Sequence, residues 1–123
     1  DLSVITWGAM VYTAEEAAKV LDEDGVSVEI VDLRTVMPWD REAVLASARK
    51  CSKVLVLHED TRTGGIAGEI AMRVNEKAWE WLDAPPLRVA AVDAPVPYSP
   101  PLEDYFLPQV EDVVKAARFL AAY

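Results

Sequence analysis

The sequence predicts an α/β fold of three layers, α/β/α, around a mainly parallel sheet of four to five strands. Short runs rich in β-branched residues alternate with longer segments whose apolar residues recur at helical spacing. Strands that alternate with helices need crossover connections, which make neighbouring strands parallel and place helices on both faces. The 123 residues, without internal repeats or low-complexity tracts, suffice for one domain with its own core, spanning 1–123.

Residues 2–6, extended by Trp7, read as the first strand, and Gly8 ends it. Met10, Ala14, Ala17, Ala18 and Leu21 then share one helix face. Thr13 and Glu16 have capping-box spacing, which would start the first turn after Met10. Asp24-Gly25 stops that helix. Residues 26–31 form a second strand whose β-branched character predicts burial on both faces. Pro38 bars a helix before it, and Asp40 is the predicted N-cap of a helix over 41–51 with Val44, Leu45 and Ala48 inward.

Residues 53–57 form the third strand. Beyond the glycines, Ile66, Ile70, Val74, Ala78 and either Trp81 or Leu82 line one face of a long helix that Ala84-Pro85-Pro86 ends. Residues 87–92 are the fourth strand, closed by Asp93. The proline-rich residues 94–108 predict an ordered connection anchored by Tyr98, Tyr105 and Phe106. The last helix covers 109–122, with Val110, Val113, Val114, Ala117 and Leu120 inward. Trp79 and Trp81 cannot both face the sheet, so one of them is covered from outside or lies on the surface.

The 12 basic and 21 acidic residues leave a formal charge of −9, which argues against nucleic acid, whose affinity comes from Lys and Arg on phosphates. An acidic surface suits a basic partner or simple solubility. No apolar run approaches the ~18 residues of a membrane span. Cys51 is alone, so no internal disulfide forms and a reducing compartment is expected. The start at Asp1, beside a strand-like run and without Met, is what a piece of a longer polypeptide would show.

Parallel sheets collect their chemistry at the C-terminal strand ends. That edge would carry Thr6, Trp7, Asp32, Arg34, His58, Glu59, Asp60 and Asp93. His58, the only histidine, stands among acids and is either a tuned general base or a structural hydrogen-bonding group. A metal shared by His58, Glu59, Asp60 and Asp93 is disfavoured, because adjacent strand residues point to opposite faces. Gly64, Gly65 and Gly68 lead into a helix, where an anion can bind. Their spacing is neither G-x-G-x-x-G nor a P-loop, and the alternative is a positive-φ turn with close helix–sheet packing. No catalytic, cofactor-binding or metal-ligating residue is assigned within the chain.

Several segments together resemble the C-terminal domain of the beta subunits of thiamine-dependent 2-oxo acid dehydrogenases, within the transketolase C-terminal class. They are Asp32-Leu33-Arg34-Thr35-Val36-Met37-Pro38-Trp39-Asp40, Ile5-Thr6-Trp7-Gly8, His58-Glu59 and Thr63-Gly64-Gly65-x-Ala67-x-Glu69-Ile70. Ala84-Pro85-Pro86-x-Arg88-Val89, Asp93-x-Pro95-x-Pro97, Leu107-Pro108 and a closing helix that ends in an aromatic extend the match over the chain. The His-Glu and Thr-Gly-Gly versions are most similar to the branched-chain (2-oxoisovalerate) type.

The resemblance implies a parent enzyme that uses thiamine diphosphate and Mg²⁺ to decarboxylate a 2-oxo acid and acylate a lipoyl group. It implies no cofactor in this domain, whose roles would be assembly and docking. The implied partners are the alpha subunit, a second beta subunit and the basic subunit-binding domain of the lipoyl acyltransferase. The implied location is bacterial cytoplasm or mitochondrial matrix. The family fold adds one antiparallel strand. His58, Glu59, Arg62, Gly64, Gly65 and Tyr123 are the candidate interface residues, with His58 and Glu59 expected to be exposed in this chain by itself. The other classes compatible with the sequence are an autonomous ligand-binding module or enzyme centred on His58, and the equivalent domain of a pyruvate dehydrogenase, a transketolase or a deoxyxylulose-phosphate synthase.

Overall fold

A computed structural model describes residues 1–123. Strands β1 (Leu2–Thr6), β2 (Val28–Asp32), β3 (Val54–Thr61) and β4 (Leu87–Ala91) form one sheet in the order β2-β1-β3-β4. Every neighbouring pair is parallel. The antiparallel strand that the resemblance implies is not among these four. The helices are α1 (Met10–Glu23), α2 (Arg41–Cys51), α3 (Ala67–Ala78), α4 (Pro100–Phe106) and α5 (Val110–Ala121). A 3₁₀ turn, Trp79–Trp81, follows α3.

The core has two halves separated by the sheet. Leu55 and Leu57 of β3 join Leu2, Val4 and the inner faces of α1 and α5. Val54 and Val56, pointing the other way, join Ile5 and the inner faces of α2 and α3. The period of two along a strand thus feeds both halves from one central strand, and all four of these β3 residues are fully buried.

The second strand differs from its sequence reading. β2 lies at the sheet margin, and its residues are half-buried except for exposed Asp32. β-branched composition reports strand propensity, and strand order decides how much is covered. Thr13 does not cap α1, which begins at Met10 with no side-chain cap. Asp40 does cap α2, accepting the Ala43 N–H at 3.0 Å. Ser47, more than Leu45, fills the inner face of α2. Its hydroxyl takes a hydrogen bond from Ser3 (2.6 Å) and gives one to Glu29 (2.6 Å), which Lys50 pairs from outside.

The connection 94–108 contains a helix that the sequence reading lacks. Pro100 and Pro101 sit in the first turn of α4, where a missing N–H costs nothing, so the same residues that argue against a helix here begin one. Of the three predicted anchors only Phe106 is buried; Tyr98 and Tyr105 are 100% and 78% exposed. Neither tryptophan of the 3₁₀ turn faces the sheet. Trp79 is exposed, and Trp81 lies 5.0 Å beneath the Arg49 guanidinium.

Candidate functional site

β3 runs on through His58 to Thr61, past the point where its sequence turns polar. His58 keeps the parity of Val54 and Val56 and turns toward the α2/α3 face; Glu59 turns the other way into solvent. His58 is only 1% exposed, so its predicted exposure in this chain is not found, whereas that of Glu59 is. The sequence shows the polarity of a residue but not the lid above it. That lid is the turn at Gly64 and Gly65.

The imidazole packs on Trp7, with ring centres 5.5 Å apart and planes inclined by 50°. On its other side is the backbone of Gly65, where a Cβ would lie 2.4 Å from His58 Cε1 and 2.6 Å from the Thr61 carbonyl oxygen. Neither ring nitrogen has a hydrogen-bond partner. Burial holds the imidazole pKa below the usual histidine value, the nearby Arg88 adds to this, and Asp60 opposes it. His58 is therefore a neutral ring inside the wall of the domain. His58 and Glu59 do not converge on one point, and no group of three or more His, Cys, Asp or Glu side chains could hold a metal ion.

The polar residues after His58 satisfy one another. The pairing of β3 with β4 is irregular between Leu57 and Thr61. Asp60 accepts the Thr61 N–H at 2.8 Å, and the Thr61 hydroxyl donates to the Thr63 carbonyl at 3.1 Å. Asp93, beyond the end of β4, accepts both the Thr63 N–H (2.8 Å) and the Thr63 hydroxyl (2.6 Å). These bonds hold its carboxyl below the usual carboxylate range. The Arg62 N–H reaches Ala91 O, and Arg88 Nη1 reaches the Arg62 carbonyl at 3.0 Å.

Gly64 has φ +81°, and Gly65 supplies the close approach, so both parts of the structural account of the glycines are met. Thr63 and Arg88 are the residues of this loop that sequence reasoning underrated. Only their partners, Asp93 and the Arg62 carbonyl, distinguish them from ordinary surface residues. Asp93→Ala is expected to speed amide exchange at Thr63 while leaving the global urea midpoint nearly unchanged, which exchange measured by NMR would check.

The loop gathers His58, Glu59, Arg62, Gly64 and Gly65 at one sheet edge. Tyr123 is not with them. It follows α5 at the opposite edge, where the Lys53 ammonium reaches the nearby Ala121 carbonyl, and its 60% exposed ring meets Phe119 edge-on at 5.5 Å.

A parallel four-stranded sheet with two helices filling each face and a self-bonded loop at its C-terminal edge defines an α/β domain built for support. The chain belongs to the family "Transketolase, C-terminal domain", whose model matches residues 1–113. It is 44% identical to the 2-oxoisovalerate dehydrogenase subunit beta of Bacillus subtilis, over 100% of this chain and 38% of that protein. It is 41% identical to the mitochondrial pyruvate dehydrogenase E1 component subunit beta-1 of Oryza sativa, over 96% of this chain and 32% of that one. A solved split-gene transketolase, an inactive beta4 tetramer, superposes with a TM-score of 0.83 at 27% identity, over 99% of this chain and 38% of its own. The chain thus spans little more than a third of the length of these relatives. No helix is long and apolar enough to cross a membrane.

Proposed function

We propose that residues 1–123 form one domain of a longer beta subunit, and that it serves assembly and docking in a branched-chain 2-oxo acid dehydrogenase. The 44% identity to a 2-oxoisovalerate dehydrogenase beta subunit along the entire chain carries this reading. The self-satisfied loop supports it: the groups that looked available for chemistry are occupied with one another. The relative described as an inactive beta4 tetramer supports the further point that this part is inactive without other subunits.

In this reading the parent enzyme uses thiamine diphosphate and Mg²⁺ held by other domains, and transfers the acyl group to lipoyl arms. The partners are an alpha subunit, a second beta subunit and the basic subunit-binding domain of the acyltransferase, which the −9 charge suits. The setting is bacterial cytoplasm or mitochondrial matrix. Exposed Glu59, Arg62 and Tyr123 are offered as contacts, with His58, Gly64 and Gly65 shaping the loop that presents the first two.

The test is reduction of an artificial acceptor driven by a 2-oxo acid, with thiamine diphosphate and Mg²⁺ added. The expected result is no turnover by the chain alone; measurable turnover would refute the assembly role. Binding to a basic acyltransferase domain should weaken as salt rises. The pyruvate-type reading is favoured by the rice relative, and branched-chain 2-oxo acids against pyruvate in the reconstituted enzyme decide between the two.

A further inference from the structure

β4 forms one margin of the sheet and pairs only with β3. Apart from bonds within the helices and strands, the single backbone bond that reaches β4 is from the Arg62 N–H to Ala91 O, on the β3 side. On its outer side, alternate N–H and C=O groups are left without a backbone partner from this chain. These groups open into a groove of about 520 Å³ between β4 and the α4–α5 connection. Arg88, Val89 and Ala90 line one wall, and Tyr105 and Leu107 the other. Val92 and Tyr105, 40% and 78% exposed, leave apolar surface on it.

We propose that this groove takes an extended segment of a partner protein, added in trans as a further strand on β4. A row of backbone donors and acceptors is matched by another extended backbone and by little else, while the groove walls select side chains at alternate positions. Neither Arg62 nor Arg88 is in an ion pair, and of the two acids in the groove Asp112 already accepts the Gln109 N–H. The segment therefore carries an acidic side chain toward the two arginines. A second copy of this chain fits less well, since its sheet would have to displace the α4–α5 wall, which a single strand need not do.

The probe is a short Val/Thr peptide with one Glu, titrated into the 123-residue chain and followed by backbone amide NMR. A second peptide has the same side chains but is N-methylated at alternate residues, so that one edge has lost its donors. Shifts confined to β4 and residues 105–109, with affinity at least ~10-fold lower for the methylated peptide, are expected, since each lost bond is worth roughly 1 kcal/mol. Arg62→Glu should weaken binding of the first peptide further. No shifts, shifts centred elsewhere, or equal binding of the two peptides would overturn the proposal. So would a concentration-dependent dimer whose β4 amides are already protected, which would give the edge to a second copy. The inference stands on the sheet edge alone: turnover in the acceptor assay would remove the assembly role and leave this result untouched.

Discussion

Gly65→Ala is expected to destabilise the chain by about 3 kcal/mol, read from urea midpoints, at the upper end for a single overpacked methyl. The new Cβ would stand 2.4 Å from His58 Cε1 and 2.6 Å from the Thr61 carbonyl. The imidazole is wedged against Trp7 and has no free space to retreat into, and the carbonyl belongs to β3. The loop must lift, which exposes His58. Two neighbouring glycines provide contrasts. At Gly64 the space is open but φ is +81°, so Gly64→Ala should cost about 1 kcal/mol through backbone strain alone. At Gly68 the closest atom is Arg88 Nη1 at 3.5 Å, an ordinary contact within a helix, and alanine should be neutral or stabilise by about 0.5 kcal/mol. Adding His58→Ala to Gly65→Ala should recover only part of the loss, because the carbonyl contact remains. Full recovery, or equal costs at all three glycines, would contradict the geometry.

The second expected effect is a loss of stability on mild acidification that depends on His58. Burial lowers its folded pKa below the ordinary 6.5 that it regains on unfolding. The unfolded chain therefore binds more protons just below that value. The stabilisation is complete above about pH 6.5 and is lost as pH falls toward the folded pKa, by at most about 1.4 kcal/mol per pH unit. Below the folded pKa it changes no further. Asp93, whose folded pKa is below its ordinary 3.8, acts in the same direction but only in stronger acid, so the two windows separate. Urea midpoints of the wild type and of His58→Leu between pH 7 and pH 5 check this. The variant should lose the downward slope and, with two unpartnered nitrogens removed, need not be less stable at neutral pH. A parallel slope in both proteins would move the cause elsewhere.

Much of the fold was legible because burial and period coincide. Val54, Val56, Leu55 and Leu57 mark a two-sided strand, and Ile70, Val74 and Ala78 mark one helix face. The misreadings have a common source in partners distant along the chain. β2 resembles a central strand until the order β2-β1-β3-β4 places it at the margin. His58 resembles an exposed polar residue until Gly65 folds over it. α4 is masked by its own prolines, which disfavour a helix interior but suit a first turn. At the loop, residue types alone suggested chemistry. The mutual bonding of Asp60, Thr61, Thr63 and Asp93, which removes that impression, is a fact of distances.

Helices α1 and α5 come from the two ends of the chain and close the same half of the core, with Arg118 reaching back 94 residues to Asp24. The other half is filled by α2 and α3, whose residues are all made earlier. During synthesis the growing chain can therefore complete one side of its sheet while Leu2, Val4, Met10 and Leu21 wait, uncovered, for the final helix to leave the ribosome. The nascent protein is sticky on one face until its last moments, and the C-terminal helix is the step that releases it as a finished unit.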